Sequence, residues 1–161
     1  MARREENVMR VDLDPDALVE ILTSEEYHVE RERSKGALEV RVEQGRATER
    51  RRCFDVHTVV HARGITGVDT SRRESQKVSY DWDLGARKGT WTVASSHGDR
   101  VKVWGSVRVE KDGTGSRIVN DFNIDVSIPL VGGQIERKVV SEVRKGWAPY
   151  ERTVRDFCRR R

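Results

Sequence analysis

The sequence predicts an α+β fold, in which an antiparallel sheet packs against one long C-terminal helix. Apolar and polar residues alternate along four consecutive segments between residues 77 and 128, as in strands with one buried and one wet face. After residue 133 the apolar residues recur every three or four positions, which is the spacing of an amphipathic helix. A chain of 161 residues can bury one real core, so we expect residues 1–161 to form a single domain.

The N-terminal segment predicts one strand followed by two short helices. In "NVMRVDLD" every second residue is apolar, which indicates a half-buried strand. Asp14 can then cap a helix, and Pro15 suits its first position, where a missing N–H costs nothing. Ser24 can cap the second helix, which we expect to end at Gly36.

The segment after Gly36 changes to the period of a strand. "ALEVRVE" alternates, and "RATERRRCFDV" reads as a second, much more polar strand. Residues 57–75 contain turn residues and show no clear period, so the sequence predicts mostly loop there.

The four alternating segments predict a meander of long strands joined by the hairpin turns "GAR", "HGD" and "KDGTG". Gly105 and Asn120 interrupt the apolar rows. The apolar face of these segments is made of Val78, Tyr80, Trp82, Leu84, Trp91, Val93, Val101, Val103, Val107, Val109, Ile118, Phe122, Ile124, Val126 and Ile128.

The C-terminal helix is predicted to run for about 28 residues and therefore about 42 Å. Its apolar stripe is Ile135, Val139, Val143, Trp147, Tyr150, Val154 and Phe157. Pro149 has no N–H to donate to the carbonyl of Lys145, so we expect a kink near Trp147. The pair Gly132 and Gly133 predicts a close backbone approach where the helix leaves the sheet.

The charge pattern argues against a dedicated nucleic-acid surface. The 31 basic residues are largely interspersed with the 27 acidic ones, for a net charge of +4. The runs "RRR" at 50–52 and 159–161 allow at most a weak contact with a membrane surface. The sequence has no apolar run that could cross a bilayer and no signal-peptide pattern, and Cys53 and Cys158 read as reduced thiols, so we expect a cytoplasmic protein. Nothing in the sequence indicates the oligomeric state.

The candidate chemical groups point to no reaction. His57 and His61 are four residues apart, but on a strand they would lie about 13 Å apart, which is too far to share a metal ion. His28 and His97 stand apart from them in the sequence. We therefore predict no metal site, no cofactor and no catalytic residue, since phosphate-loop and nucleophile motifs are also absent from the sequence.

Two acidic pairs also look structural rather than catalytic. Asp81 and Asp83, like Asp121 and Asp125, fall on the wet face of the predicted strands. Cross-strand ion pairing explains them better than catalysis, which needs a sheltered site. The expected partners are Lys102, Arg108 and Arg117.

The order of elements resembles the helix-grip fold of the START and birch-pollen-allergen superfamily, also called SRPBCC. The stretches that carry the resemblance are "VDLDPDALVEILTSEEY" and "IPLVGGQIERKVVSEV". The second is similar to a bacterial domain of unknown function within that superfamily. The resemblance implies a seven-stranded curved antiparallel sheet wrapped around the long helix, with a cavity between them that holds an apolar or amphipathic small molecule. The charged strand at 46–56 departs from this pattern and predicts an open or polar wall.

The alternation assigns candidate ligand contacts if such a cavity exists. Asn120 is the polar break in an apolar row, so its amide must bond either a neighbour or a ligand. Four tryptophans and Gly105 in an inward row predict uneven filling of the space. The candidate ligand-binding residues are Tyr80, Trp82, Trp91, Val103, Val107, Asn120, Phe122, Ile124, Val139, Val143 and Trp147.

Three hypotheses for the function remain open at the level of sequence. The first is binding or transport of a lipid-like or polyketide-like hydrophobic molecule. The second is a polyketide cyclase or aromatase, which would need an acid and a base in the cavity, and the available groups are Tyr80, Asn120 and His57 or His61. The third is an interaction module with a solid core, which would use Trp104 or a basic edge to hold a protein partner.

Overall fold

The computed structural model describes residues 2–64, 67–94 and 98–160. The elements in chain order are β1 (Arg3–Val11), α1 (Pro15–Leu22), α2 (Glu25–Ser34), β2 (Glu39–Ala47), β3 (Arg51–Gly64), β4 (Gly67–Asp83), β5 (Lys88–Ala94), a 3₁₀ turn (Gly98–Arg100), β6 (Val101–Asp112), β7 (Gly115–Val126) and α3 (Gly132–Arg159).

The seven strands form one antiparallel sheet in the order β1-β7-β6-β5-β4-β3-β2. This curved sheet, the two short helices after β1 and the long C-terminal helix confirm the predicted fold class. The strand register brings the predicted inward residues side by side. Tyr80 lies opposite Trp91, Trp91 opposite Gly105, and Gly105 opposite Phe122.

The caps of the two short helices are also confirmed. The Asp14 side chain accepts hydrogen bonds from the backbone N–H groups of Asp16 and Ala17 at 3.0 and 3.3 Å. The Ser24 hydroxyl accepts one from the backbone N–H of Tyr27 at 3.3 Å. These bonds satisfy donors that the first turn of a helix leaves without a partner, and so fix where α1 and α2 begin.

The prediction of a loop over residues 57–75 is wrong. β3 continues to Gly64 and β4 begins at Gly67, so the two strands form a long ladder, with a register shift at His61. Many side chains along the distal part of β4 are exposed, so this strand has no buried apolar row to produce alternation there. Ile65 and Thr66, within the same segment, lie outside the described residues, as does His97 in the predicted "HGD" turn.

The junction between β7 and α3 explains one glycine of the pair. A Cβ on Gly132 would lie 2.6 Å from the carbonyl oxygen of Val126, so only glycine fits there. A Cβ on Gly133 would meet no described atom within 4 Å, so the predicted close approach is wrong for that residue.

A buried carboxylate fastens the same junction. Glu136, 1% exposed, accepts a hydrogen bond from the backbone N–H of Val126 at 2.8 Å and pairs with Arg3 Nε at 3.6 Å. One side chain of α3 thereby holds both β7 and β1. Of the strands, β1 and β7 lie closest to α3, and the helix also touches α2. It remains helical through Gly146 and Pro149, and the kink near Trp147 stays a prediction.

Candidate functional site

The buried apolar residues of the described chain form two clusters along α3. The small cluster lies at the N-terminal half of the helix, where Val140 packs with Ile124 and Val126. The large cluster joins α1, α2 and the C-terminal part of α3 to the sheet. Among its members are Met9, Leu18, Tyr27, Phe54, Val56, Tyr80, Trp82, Ile118, Val154 and Phe157. Val143 and Trp147, in the middle of the helix, belong to neither cluster.

The inner face of the sheet opposite this part of the helix is also incompletely covered. Because α3 follows β1 and β7, the long helix does not pack closely over the inner faces of the central strands. We call this half-covered part of the inner face and of α3, between the two clusters, the cleft. Its half-buried apolar residues are Trp91, Val93, Val103, Val107, Phe122, Val139, Val143 and Trp147.

Two tryptophans occupy different places in this arrangement. Trp82 is 1% exposed, and its ring lies where a Cβ on Gly89 would be, 2.5 Å from Cε2. Trp91 is half-buried, and its ring lies over Gly105 as that of Trp82 lies over Gly89. A Cβ on Gly105 would lie 2.4 Å from the Trp91 ring. The gap expected at Gly105 is therefore filled by Trp91, whose ring lies 6.0 Å from that of Phe122.

Of the predicted ligand contacts, three are parts of the packed core. Tyr80 is a 9% exposed member of the large cluster. Trp82 and Ile124 are each 1% exposed, in the large and the small cluster respectively. The cleft brings the other apolar candidates together, and its polar candidates lie at one end. Asn120, nearly buried, donates its Nδ2 hydrogen bond to the Tyr150 hydroxyl at 3.1 Å.

A guanidinium closes the same end of the cleft. Arg31 Nη1 donates to the Tyr80 hydroxyl at 3.4 Å, and the Arg31 Cζ lies 5.3 Å from the centre of the Tyr150 ring. These residues come from α2, β4 and α3. We call Arg31, Tyr80, Asn120 and Tyr150 the polar end.

Burial sets the protonation of the polar end. It raises the pKa of the Tyr80 hydroxyl above its ordinary value, and Arg31 offsets this only in part. Burial likewise raises the pKa of Tyr150. The pKa of Arg31 also lies above its ordinary value, since the loss from burial is outweighed by the neighbouring tyrosines and Glu32. At neutral pH the polar end therefore holds neutral hydroxyls and one cation.

A buried histidine lies behind the polar end. His28 is 2% exposed, and its ring packs 4.8 to 5.1 Å from those of Tyr27, Phe54 and Tyr80. Nε2 must carry the proton, because it lies 2.8 Å from the carbonyl oxygen of Leu22, which can only accept. Burial, followed by the charge of Arg31, lowers the pKa of His28 to about 4.

The acidic pairs lie on the outer face of the sheet, as predicted, and two of their members have partners other than those expected. Asp81 pairs with Arg51 and Asp121 with Arg4, each at 2.7 Å. Asp125 lies opposite Lys102 in the β6–β7 register. Arg108 and Arg117 instead bond Glu110. Asp83 accepts a bond from the Ala86 backbone N–H at 3.1 Å and so shapes the β4–β5 turn.

The predicted histidines also lie away from the cleft. His57 follows the inward-facing Val56 on β3, which puts it on the outer face, where it contacts Glu43 at 3.2 Å.

Trp104 is half-buried and lies between Thr92 and Asn123 in the register. Its side chain therefore lies on the outer face of the sheet, away from the cleft.

Two open depressions lie on the surface. One, of about 370 Å³, is bordered by outer-face residues such as Glu43, Cys53, Asp81 and Thr90, and also by Tyr80 and Trp91. The other, of about 830 Å³, follows the solvent side of α2 past Glu25, Glu26, Val29, Glu30, Arg33 and Ser34. Both are bordered by charged side chains that solvent already satisfies, so neither offers the sheltered apolar wall of a small-molecule site.

A family model now identifies the chain, since it matches residues 6–158 and so includes the cleft and its polar end. The chain belongs to the DUF2505 family of proteins of unknown function. No curated protein sequence matches it. No helix among the described residues is long and apolar enough to span a membrane.

Solved structures similar to this DUF2505 protein confirm the predicted fold. The aromatase/cyclase Zhui from a Streptomyces species superposes with a TM-score of 0.65 at 14% identity, over 100% of this chain and 96% of that one. Ara h 8.0201 gives 0.64 at 12%, over 98% and 97%. TTHA0849 from Thermus thermophilus gives 0.62 at 15%, over 97% and 95%. At these identities the likeness shows the helix-grip fold.

Sequence reasoning missed the contribution of α2 to this site. Tyr27, His28 and Arg31 face inward, but "EEYHVERERS" is so polar that it shows no apolar stripe. The available signal was the spacing of Tyr27 and Arg31, four residues apart and therefore on one face of a helix. Their part in the site can be recognised only in the folded protein, where β4 and α3 bring Tyr80 and Tyr150 close to α2.

Proposed function

We propose that this DUF2505 protein binds a hydrophobic small molecule, lipid-like or polyketide-like, in the cleft between sheet and α3. The observation that carries the proposal is the division of the core. Apolar side chains in the middle of α3 and on the central strands stay half-exposed, although each faces the interior of the fold. A ligand that filled the cleft would remove that surface from water, which contributes roughly 25 cal/mol per Å² before the costs of association.

The ligand contacts divide by depth. Val103, Val107 and Phe122 would form the sheet side of the cleft, and Val139, Val143 and Trp147 the helix side, with Trp91 between the two core clusters. Trp82 and Ile124 would back this wall from within the core. Tyr80 and Asn120 would orient the ligand from the polar end, in keeping with the few polar groups that ligand sites usually contain.

Binding is favoured over catalysis by the protonation of the polar end. Two of the similar structures are described as di-domain aromatase/cyclases, and that chemistry needs a base. Here the tyrosine pKa values are raised, His28 is covered, and His57 lies on the outer face. The polar end thus offers hydrogen-bond donors and a cation but no exposed base among its described residues. The solid-core interaction module is disfavoured by the half-exposed cleft residues.

Filling the cleft with protein atoms should weaken ligand binding. We expect the neutral fluorescent probe N-phenyl-1-naphthylamine to bind the protein, and Val143→Phe to weaken that binding by about tenfold or more. The added ring would occupy the space left between the two clusters. The measurement is a fluorescence titration of each variant after circular dichroism has verified its fold.

Ser141→Phe is the matched control, since it adds the same ring at an exposed position of α3 and should leave affinity unchanged. The absence of probe binding by the wild-type protein would contradict the proposal. Equal affinity of the wild-type protein and Val143→Phe would also place the probe elsewhere than in the cleft.

A further inference from the structure

The guanidinium of Arg31 lies where three elements meet at the cleft. It bonds the Tyr80 hydroxyl of β4 at 3.4 Å and lies over the Tyr150 ring of α3, although it belongs to α2. Both of these partners are neutral. An aromatic face attracts a cation, but neither contact neutralises it.

The same guanidinium has no carboxylate partner within the described part of the chain. The adjacent acid, Glu32, is engaged by Lys35, whose Nζ lies 3.2 and 3.3 Å from its two oxygens. Arg31 has five N–H donors, and its one hydrogen bond among the described residues is the long one to Tyr80. The charge of Glu32 acts on Arg31 only at a distance, so this half-buried cation forms no direct ion pair among the described residues to offset its lost hydration.

Other donors near Tyr150 show the same imbalance. Trp147, whose ring meets that of Tyr150 edge to face at 5.9 Å, has a buried Nε1 without a hydrogen-bond partner in residues 2–64, 67–94 and 98–160. Asn7 pairs in register with Asn120, and its buried Nδ2 also has no partner in these ranges. Asn120 has already given a hydrogen bond to Tyr150. This end of the cleft therefore has more donors than acceptors.

We propose that the ligand is a carboxylic acid with an apolar body, and that its carboxylate pairs with Arg31 while the body fills the cleft. A carboxylate can form the direct ion pair that Arg31 lacks among the described residues, and its two oxygens match the planar fork of a guanidinium. The Tyr80 hydroxyl lies beside that fork and can donate a further bond. This inference rests on the proposed function, because the apolar body needs the cleft.

The test compares two probes that differ in their head group alone. Dodecanoic acid and dodecan-1-ol would each displace N-phenyl-1-naphthylamine at neutral pH, where the acid is ionised. We expect the wild-type protein to bind the acid about tenfold more tightly than the alcohol, because a charge-assisted bond replaces a neutral one. Arg31→Met keeps the aliphatic stem and should remove this preference, whereas Arg31→Lys should retain part of it.

Arg33→Met is the control, because Arg33 lies on the exposed side of the same helix and should leave the preference intact. Equal affinity of the wild-type protein for acid and alcohol would overturn this inference while leaving the proposed function in place. An unchanged preference in Arg31→Met would overturn it as well. If neither the alcohol, the acid nor the fluorescent probe binds, the proposed function fails first. Should Arg31→Met not fold, the acid-to-alcohol ratios of the wild-type protein and Arg31→Lys still decide the matter.

Discussion

Trp82→Ala should lower the free energy of unfolding by about 3–5 kcal/mol, the usual cost of removing a large aromatic side chain from a packed core. The ring is 1% exposed and lies against Gly89, where no side chain can move in to fill the space it leaves. It also belongs to the large cluster that joins the sheet to α1, α2 and the C-terminal part of α3. Urea denaturation followed by circular dichroism measures the loss.

Trp91→Ala is the matched comparison on the neighbouring strand. Trp91 lies over Gly105 much as Trp82 lies over Gly89, but it is half-buried and faces the cleft. We expect it to lose less stability than Trp82→Ala and to weaken the binding of N-phenyl-1-naphthylamine. Equal losses of stability in the two variants, with unchanged probe affinity in Trp91→Ala, would contradict the division between core and cleft.

Acid should destabilise the protein through His28. Its pKa of about 4 in the folded state lies below the ordinary value of 6.5, so the unfolded chain binds the proton first as the pH falls. The stabilisation from neutral His28 is complete above pH 6.5 and is lost progressively as the pH falls to about 4. A shift of this size corresponds to about 3 kcal/mol.

His28→Gln isolates this contribution. The glutamine amide can still donate to the Leu22 carbonyl but cannot take up a proton in this range. Denaturation curves at a series of pH values should show a shallower acid loss in the variant than in the wild-type protein. Equal acid losses in the two proteins would mean that folded His28 takes up a proton as readily as unfolded His28. An NMR titration of its ring protons would show that directly.

Much of the fold could be predicted because an element with one buried face shows a regular spacing of apolar residues in its sequence. From Val78 to Val126 the strands have one apolar and one polar face, and the register pairs these residues as the alternation requires. The distal part of β4 has no such apolar row, so its backbone hydrogen bonds to β3 form without a clear signal in its side chains. For this reason the sequence predicts a loop over residues 57–75, where the structure has a long hairpin.

The site was less accessible to sequence reasoning, because its distinctive features are relations between elements. The pattern marked Tyr80 and Asn120 as inward polar groups, but it could not indicate that Asn120 meets Tyr150 or that Arg31 meets Tyr80. Nor could the pattern distinguish Trp82 from Trp91. Both are at inward positions of the strands, but the helices cover Trp82 more completely than Trp91.

The most direct test of a hydrophobic ligand in the cleft is mass spectrometry of the purified protein, first in its native state and then after solvent extraction. We expect an apolar molecule that carries a carboxylate to co-purify with the protein in near-stoichiometric amount. Solvent extraction should release it. A native mass equal to that of the bare chain, and unchanged after incubation with excess dodecanoic acid, would contradict it.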